Sequence, residues 1–198
     1  MPKLRIHDHP LPYVALLPER TAAAVELVVV HCTELPDLQT AREYGERVLH
    51  PSGTGNSGHY YVDRDGAIDC YVPGTRCANH VYGHNAHSIG IELVNLGRFP
   101  HWWDSRHQDM TEPYPAIQIT ALRDLLADLR VRFPNLRDIA GHEDLDTRMM
   151  TASDDPALTV RRKLDPGRMF PWGDVLRHCG LTRAPKAATD ATNTSLPQ

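Results

Sequence analysis

No stretch of this chain approaches the ~20 consecutive apolar residues that cross a bilayer, so membrane insertion is not expected. The N-terminus also lacks the apolar segment of a secretion signal: residues 1–9 are polar, with Pro2 and Asp8 among them. A cytoplasmic protein is expected on this ground, with export by a route that needs no signal as the alternative. Charge of one sign is not in excess. Lys and Arg total 21 against 25 for Asp and Glu, a net charge of −4, and nucleic acid is not an expected partner. Cysteine is limited to Cys32, Cys70, Cys77 and Cys179, with no Cys-x-x-Cys spacing. That usage fits free thiols in a reducing compartment, although a Cys70–Cys77 bridge stays open.

The 198 residues suit one domain with a sizeable core. Residues 1–20 are Pro-rich and read as an arm lying on a domain of residues 21–180. Residues 181–198 turn to Ala, Thr, Asn, Ser and Pro and read as a disordered tail. Between them, Val25–Val30 is a β-branched run expected to form a buried strand, with His31 at its carboxyl end. Thr40–Leu49 predicts a helix. His59–Val62 and Ala67–Val72 predict a hairpin with Asp65-Gly66 in its turn. Residues 88–94 alternate, so Ile89, Ile91 and Leu93 share one face of a strand and Ser88, Gly90 and Glu92 the other. Two such small residues leave room for something to approach, a substrate being the expectation.

The clearest helix is 115–133, where Ile119, Leu122, Leu125, Leu126, Leu129 and Phe133 form one apolar stripe. Asp138–Gly141 is a short strand leading to His142. Two stretches stand apart: residues 97–114, long and aromatic, and residues 143–159, polar and read as a surface insertion.

With twelve histidines, a lone His says little. His31 and His142 each end a strand pattern, however, and Lys163-Leu164-Asp165 adds a carboxylate with a lysine two residues before it. Two imidazoles and a carboxylate are a ligand set for a catalytic zinc, which keeps a fourth position for water. The competing interpretation is two core histidines and a Lys163–Asp165 surface pair, which need no metal.

Several stretches recur together in one family. They are Val29-Val30-His31, Gly58 through Gly66, Gly83-His84-Asn85, Ser88-Ile89-Gly90-Ile91-Glu92-Leu93, Gly141-His142 and Arg162 through Gly167. In this order they resemble the zinc-dependent N-acetylmuramoyl-L-alanine amidases of the amidase-2 family, most of all the AmpD-like enzymes that recycle anhydro-muropeptides. The resemblance implies an α/β fold, a central mixed β-sheet flanked by helices, shared with peptidoglycan recognition proteins. It implies Zn2+ on His31, His142 and Asp165, with aspartate rather than cysteine in the third place. It also implies Glu92 and Lys163 as catalytic residues, and peptidoglycan or muropeptide fragments as partners.

Chemically, Glu92 suits a proton carrier for the attacking water and the leaving amine, and Lys163 a fixed charge for a developing oxyanion. Arg76, His80, Asn85 and Arg162 lie near these motifs and are expected to contact substrate. The connection from His142 to Lys163 is longer than is usual in the family, and residues 98–114 are individual, so both are expected to shape the cleft. A non-catalytic peptidoglycan-binding module and a secreted or phage-type lytic amidase are the alternatives within the same fold. Oligomeric state is not legible.

Overall fold

A computed structural model describes residues 4–186. Its centre is a seven-stranded mixed sheet in which only one neighbouring pair is antiparallel. In chain order the elements are β1 (His7–Asp8), β2 (Leu27–Cys32), α1 (Leu38–Gly45), β3 (Tyr60–Val62), β4 (Ile68–Cys70), β5 (Ser88–Leu93), α2 (Ala116–Arg132), β6 (Asp138–Gly141), α3 (His142–Leu145), β7 (Met149–Thr151), β8 (Thr159–Arg161), α4 (Trp172–Cys179) and β9 (Thr182–Arg183). The spatial order is β1-β4-β3-β5-β2-β6-β9, and β7 and β8 form a separate hairpin.

Period-two alternation decides which residues meet which layer. On one face Val28, Val30, Ile89, Ile91, Leu93 and Ile139 pack against the stripe of α2, where Leu122, Leu125, Leu126 and Leu129 are fully buried. Each such side chain contributes roughly 1.5–3 kcal/mol of transfer free energy, so this layer anchors the sheet. On the other face β2 and β5 run in register, with Val29 opposite Gly90 and His31 opposite Glu92. This face forms the floor of the cleft.

The helix expected at Thr40–Leu49 begins two residues earlier and ends at Gly45. Asp37 starts it by accepting from the Thr40 amide at 2.7 Å, a side-chain cap that fixes the first turn. The Asp-Gly hairpin forms between β3 and β4, with Gly66 at a φ of 87°. The N-terminal arm does more than lie on the surface. Leu11, Tyr13 and Leu17 are buried, β1 pairs with β4, and the Tyr13 hydroxyl donates to the Gly45 carbonyl at 2.6 Å.

The expected tail needs a similar correction at its start. Thr182 and Arg183 pair with Asp138 and Ile139 as an edge strand, and the Arg183 guanidinium caps the buried Asp144 carboxylate. Residues 187–198 of that tail lie outside the described residues. All four cysteines are free thiols, which removes the Cys70–Cys77 bridge. No described helix is long and apolar enough to cross a membrane.

Candidate metal centre and its cleft

Three elements deliver the ligands. His31 leaves the carboxyl half of β2, and His142 is the first residue of α3, directly after β6. Asp165 lies in the turn after β8. That turn presses on the end of β6: a Cβ at Gly141 would sit 2.8 Å from Pro166 Cδ. The turn is further held by the Glu143 amide donating to the Asp165 carbonyl at 2.9 Å and the Tyr114 hydroxyl donating to the Pro166 carbonyl at 2.6 Å.

The result is a small triangle. His31 Nδ1, His142 Nδ1 and Asp165 Oδ2 stand 2.9, 3.0 and 3.1 Å from one another. Ligand atoms sharing a tetrahedral zinc at 2.0–2.1 Å stand about 3.3 Å apart, so the donor set has the right size and chemistry for one cation. All three side chains are 3% exposed or less. The other Asp165 oxygen and His142 Nε2 are buried with no partner among the described residues. Burial alone raises a carboxyl pKa, yet the charges of His142 and Lys163 and hydrogen bonds from both histidines hold Asp165 well below its ordinary value. Burial lowers the His142 imidazole, in the direction of the neutral form that can ligate, while the Asp165 charge opposes it.

The triangle opens on a cleft of about 700 Å3 lined by Glu92, Lys163, Tyr61, Trp102, Trp103 and Arg162 among others. Lys163 and Asp165 both reach it, which the i, i+2 spacing of an extended segment allows. Glu92 stands beside His31 in the strand register, and Gly58 clears its path: a Cβ there would meet Glu92 Cγ at 2.8 Å. Burial, aided by the charges of Asp165 and Glu34 and opposed by His31 and Lys163, pushes the Glu92 carboxyl up to about 7. Such a group both takes and gives a proton near neutrality.

The four expected substrate contacts fare differently. Arg76 is off the cleft; it donates to the Leu17 carbonyl at 2.8 Å and pairs with Glu19, so it ties down the N-terminal arm instead. The Asn85 side-chain oxygen is engaged by the His80 and Val81 amides at 3.1 and 2.8 Å. His80 sits against His31, its Nδ1 2.9 Å from His31 Nε2 and its Nε2 3.1 Å from Ser88 Oγ. Arg162 lines the cleft and pairs with Asp146 at 2.6 Å. The room beside Ser88 and Gly90 is therefore filled by the His80 ring, not left for a substrate.

The two individual stretches dock on each other. Ser105 donates to Asp154 through its amide and hydroxyl at 2.7 and 2.8 Å, and the Ser153 amide donates to the Trp103 carbonyl at 2.8 Å. Beneath them Arg98 forks onto Glu34 at 2.6 and 2.9 Å and donates to the Arg161 and Arg162 carbonyls at 2.9 and 3.2 Å. Sequence reasoning missed Arg98, Glu34 and the spacing role of Gly58. Only the glycine sits in a motif that could have drawn attention to it.

A mixed sheet with two histidines and a carboxylate converging at one end of its central strands defines an α/β protein of the amidase and peptidoglycan-recognition type. A model of the N-acetylmuramoyl-L-alanine amidase family, amidase-2, matches residues 21–168, and the chain belongs to that family. A Rickettsia conorii protein assigned to the N-acetylmuramoyl-L-alanine amidases is 27% identical over 161 residues, 75% of this chain and 49% of that protein. The chain thus spans about half the length of this curated relative. Among solved structures, AmpDh3 of Pseudomonas aeruginosa in complex with anhydromuramic pentapeptide has a TM-score of 0.62 at 24% identity, covering 80% of this chain and 60% of that one. The amidase LysC of Clostridium intestinale gives 0.60 at 19% identity, covering 90% and 99%. At these identities the structural likeness shows the shared fold.

Proposed function

We propose that the chain hydrolyses the amide joining the lactyl group of N-acetylmuramic acid, or its 1,6-anhydro form, to the L-alanine of a peptidoglycan stem peptide. The observation that carries the proposal is the buried triangle of His31, His142 and Asp165 with Glu92 and Lys163 facing the same cleft. Those three residues would hold Zn2+, which supplies an acidified water and a polarised carbonyl when bound.

The chain's own groups do the rest. Glu92, with its carboxyl near 7, accepts the proton of the attacking water and returns it to the alanine nitrogen as the C–N bond breaks. Lys163 places a positive charge beside the oxygen of the scissile carbonyl. The anhydromuramic pentapeptide bound by AmpDh3, a protein of the same fold, supports muropeptides as the substrate class.

The test offers purified protein both soluble anhydro-muropeptides and intact sacculi, with zinc content and released peptide measured together. One zinc per chain and release of peptides beginning with L-alanine are expected, both lost in His142→Ala. The faster substrate separates fragment recycling from wall lysis. A wild-type protein that holds zinc and cuts neither substrate would be a binding module of this fold.

A further inference from the structure

Ser88 Oγ carries a single hydrogen, and the His84 carbonyl lies 2.8 Å from it, close enough to claim that hydrogen. Towards His80 Nε2, at 3.1 Å, the hydroxyl can then only accept. His80 Nε2 is therefore the protonated nitrogen of a neutral ring, and its Nδ1 is a lone pair. That lone pair faces His31 Nε2 at 2.9 Å, so His31 must donate from Nε2. The proton positions thus run from the His84 carbonyl, through Ser88 and His80, to His31.

We infer that Ser88 and His80 are positioning residues that keep a proton on His31 Nε2, so that Nδ1 is the nitrogen turned towards His142 Nδ1 and Asp165 Oδ2. A histidine ligand whose other nitrogen donates to a fixed partner keeps both its tautomer and its ring orientation. The partner here is a second histidine, itself locked. Its backbone is fixed by Asn85, whose side-chain oxygen accepts from the His80 and Val81 amides. Its ring lies over Gly90, where any Cβ would come within 2.6 Å of His80 Cγ and Nδ1.

The alternation Ser88, Gly90, Glu92 thereby gains a physical meaning along one face of one strand. Ser88 orients His80, Gly90 makes room for it, and Glu92 faces the cleft. The consequence for metal binding rests on the zinc proposal above; the tautomer does not.

The test has two readouts. Long-range 15N–1H correlation spectra of the metal-free protein report which His31 nitrogen carries the proton. Chelator competition reports zinc affinity. The expected results are an Nε2–H His31 in the wild type, a mixture of tautomers in Ser88→Ala, and a zinc affinity about 10–100-fold weaker in both Ser88→Ala and His80→Ala. His80→Gln, which keeps an acceptor oxygen, should restore part of the loss.

A wild-type His31 with no proton on Nε2 overturns the inference. So does a Ser88→Ala protein with unchanged spectra and unchanged affinity. Should His80→Ala fail to fold, Ser88→Ala, the loss of one oxygen, still decides. A wild type that binds no zinc defeats the zinc proposal, while the spectra alone then decide the tautomer.

Discussion

Replacing Arg98 by alanine should be among the most damaging changes available outside the triangle itself. The guanidinium is 1% exposed and its Glu34 partner 7%. It makes two bonds to that carboxylate, one to Gln108 at 3.0 Å, and one each to the Arg161 and Arg162 carbonyls. Deleting it leaves a carboxylate buried without its counter-charge, a change that costs about 3–5 kcal/mol. In a chain of this length that lowers Tm by roughly 10 °C.

The loss is not confined to stability, because the carbonyls released belong to the two residues just before Lys163. Urea unfolding of Arg98→Ala, Glu34→Met and the Arg98→Met/Glu34→Met pair separates the terms. The double variant buries no charge and should recover at least ~2 kcal/mol relative to the sum of the single changes. Arg98→Lys, a point charge that cannot fork, should fall between wild type and alanine. If Arg98→Ala unfolds within ~1 kcal/mol of wild type, or the two single changes simply add, the ion pair is not the clamp described here.

Three further outcomes are expected. Because Glu92 keeps its proton to about 7 against an ordinary 4.5, the folded metal-free protein binds more protons than the unfolded chain between those values. Its stability should fall by up to about 3 kcal/mol as pH rises through that window, and Glu92→Gln should lack this fall in melts from pH 4 to pH 8. Gly141→Ala should weaken zinc binding about tenfold, read by chelator competition, since its Cβ would displace Pro166 and the adjacent ligand; unchanged affinity would show that the turn yields freely. Asp154→Ala should raise KM and leave kcat unchanged, because it frees residues 97–114 from the insertion without touching the triangle; a fall in kcat alone would count against a wall role.

The fold was legible where a single period governs burial. The stripe of α2 and the alternation of β5 can be read from sequence because each faces one layer only. The ends of elements were less legible. α1 stops at Gly45, and β9 exists because β6 offers it an edge and Asp144 a carboxylate, which are tertiary reasons. For the candidate site, His31, His142, Asp165, Glu92 and Lys163 stood out through ordered motifs, and all five meet at one cleft. Of the flanking polar residues, His80, Asn85 and Arg162 line that cleft and Arg76 does not, because proximity in sequence to a motif does not say where a side chain finds its hydrogen bonds. Arg76 found the N-terminal arm, Asn85 its own loop, and His80 the far side of His31.

The sheet begins and ends with strands of two residues each, β1 and β9. Brief borders of this kind offer a neighbouring molecule little backbone to zip onto. Trimming the chain before Thr182 would change that, baring the outer edge of β6 at Asp138 and Ile139, a few residues ahead of His142. A shortened variant made by cutting there should therefore self-associate, and should do so with the very strand that leads into the metal triangle.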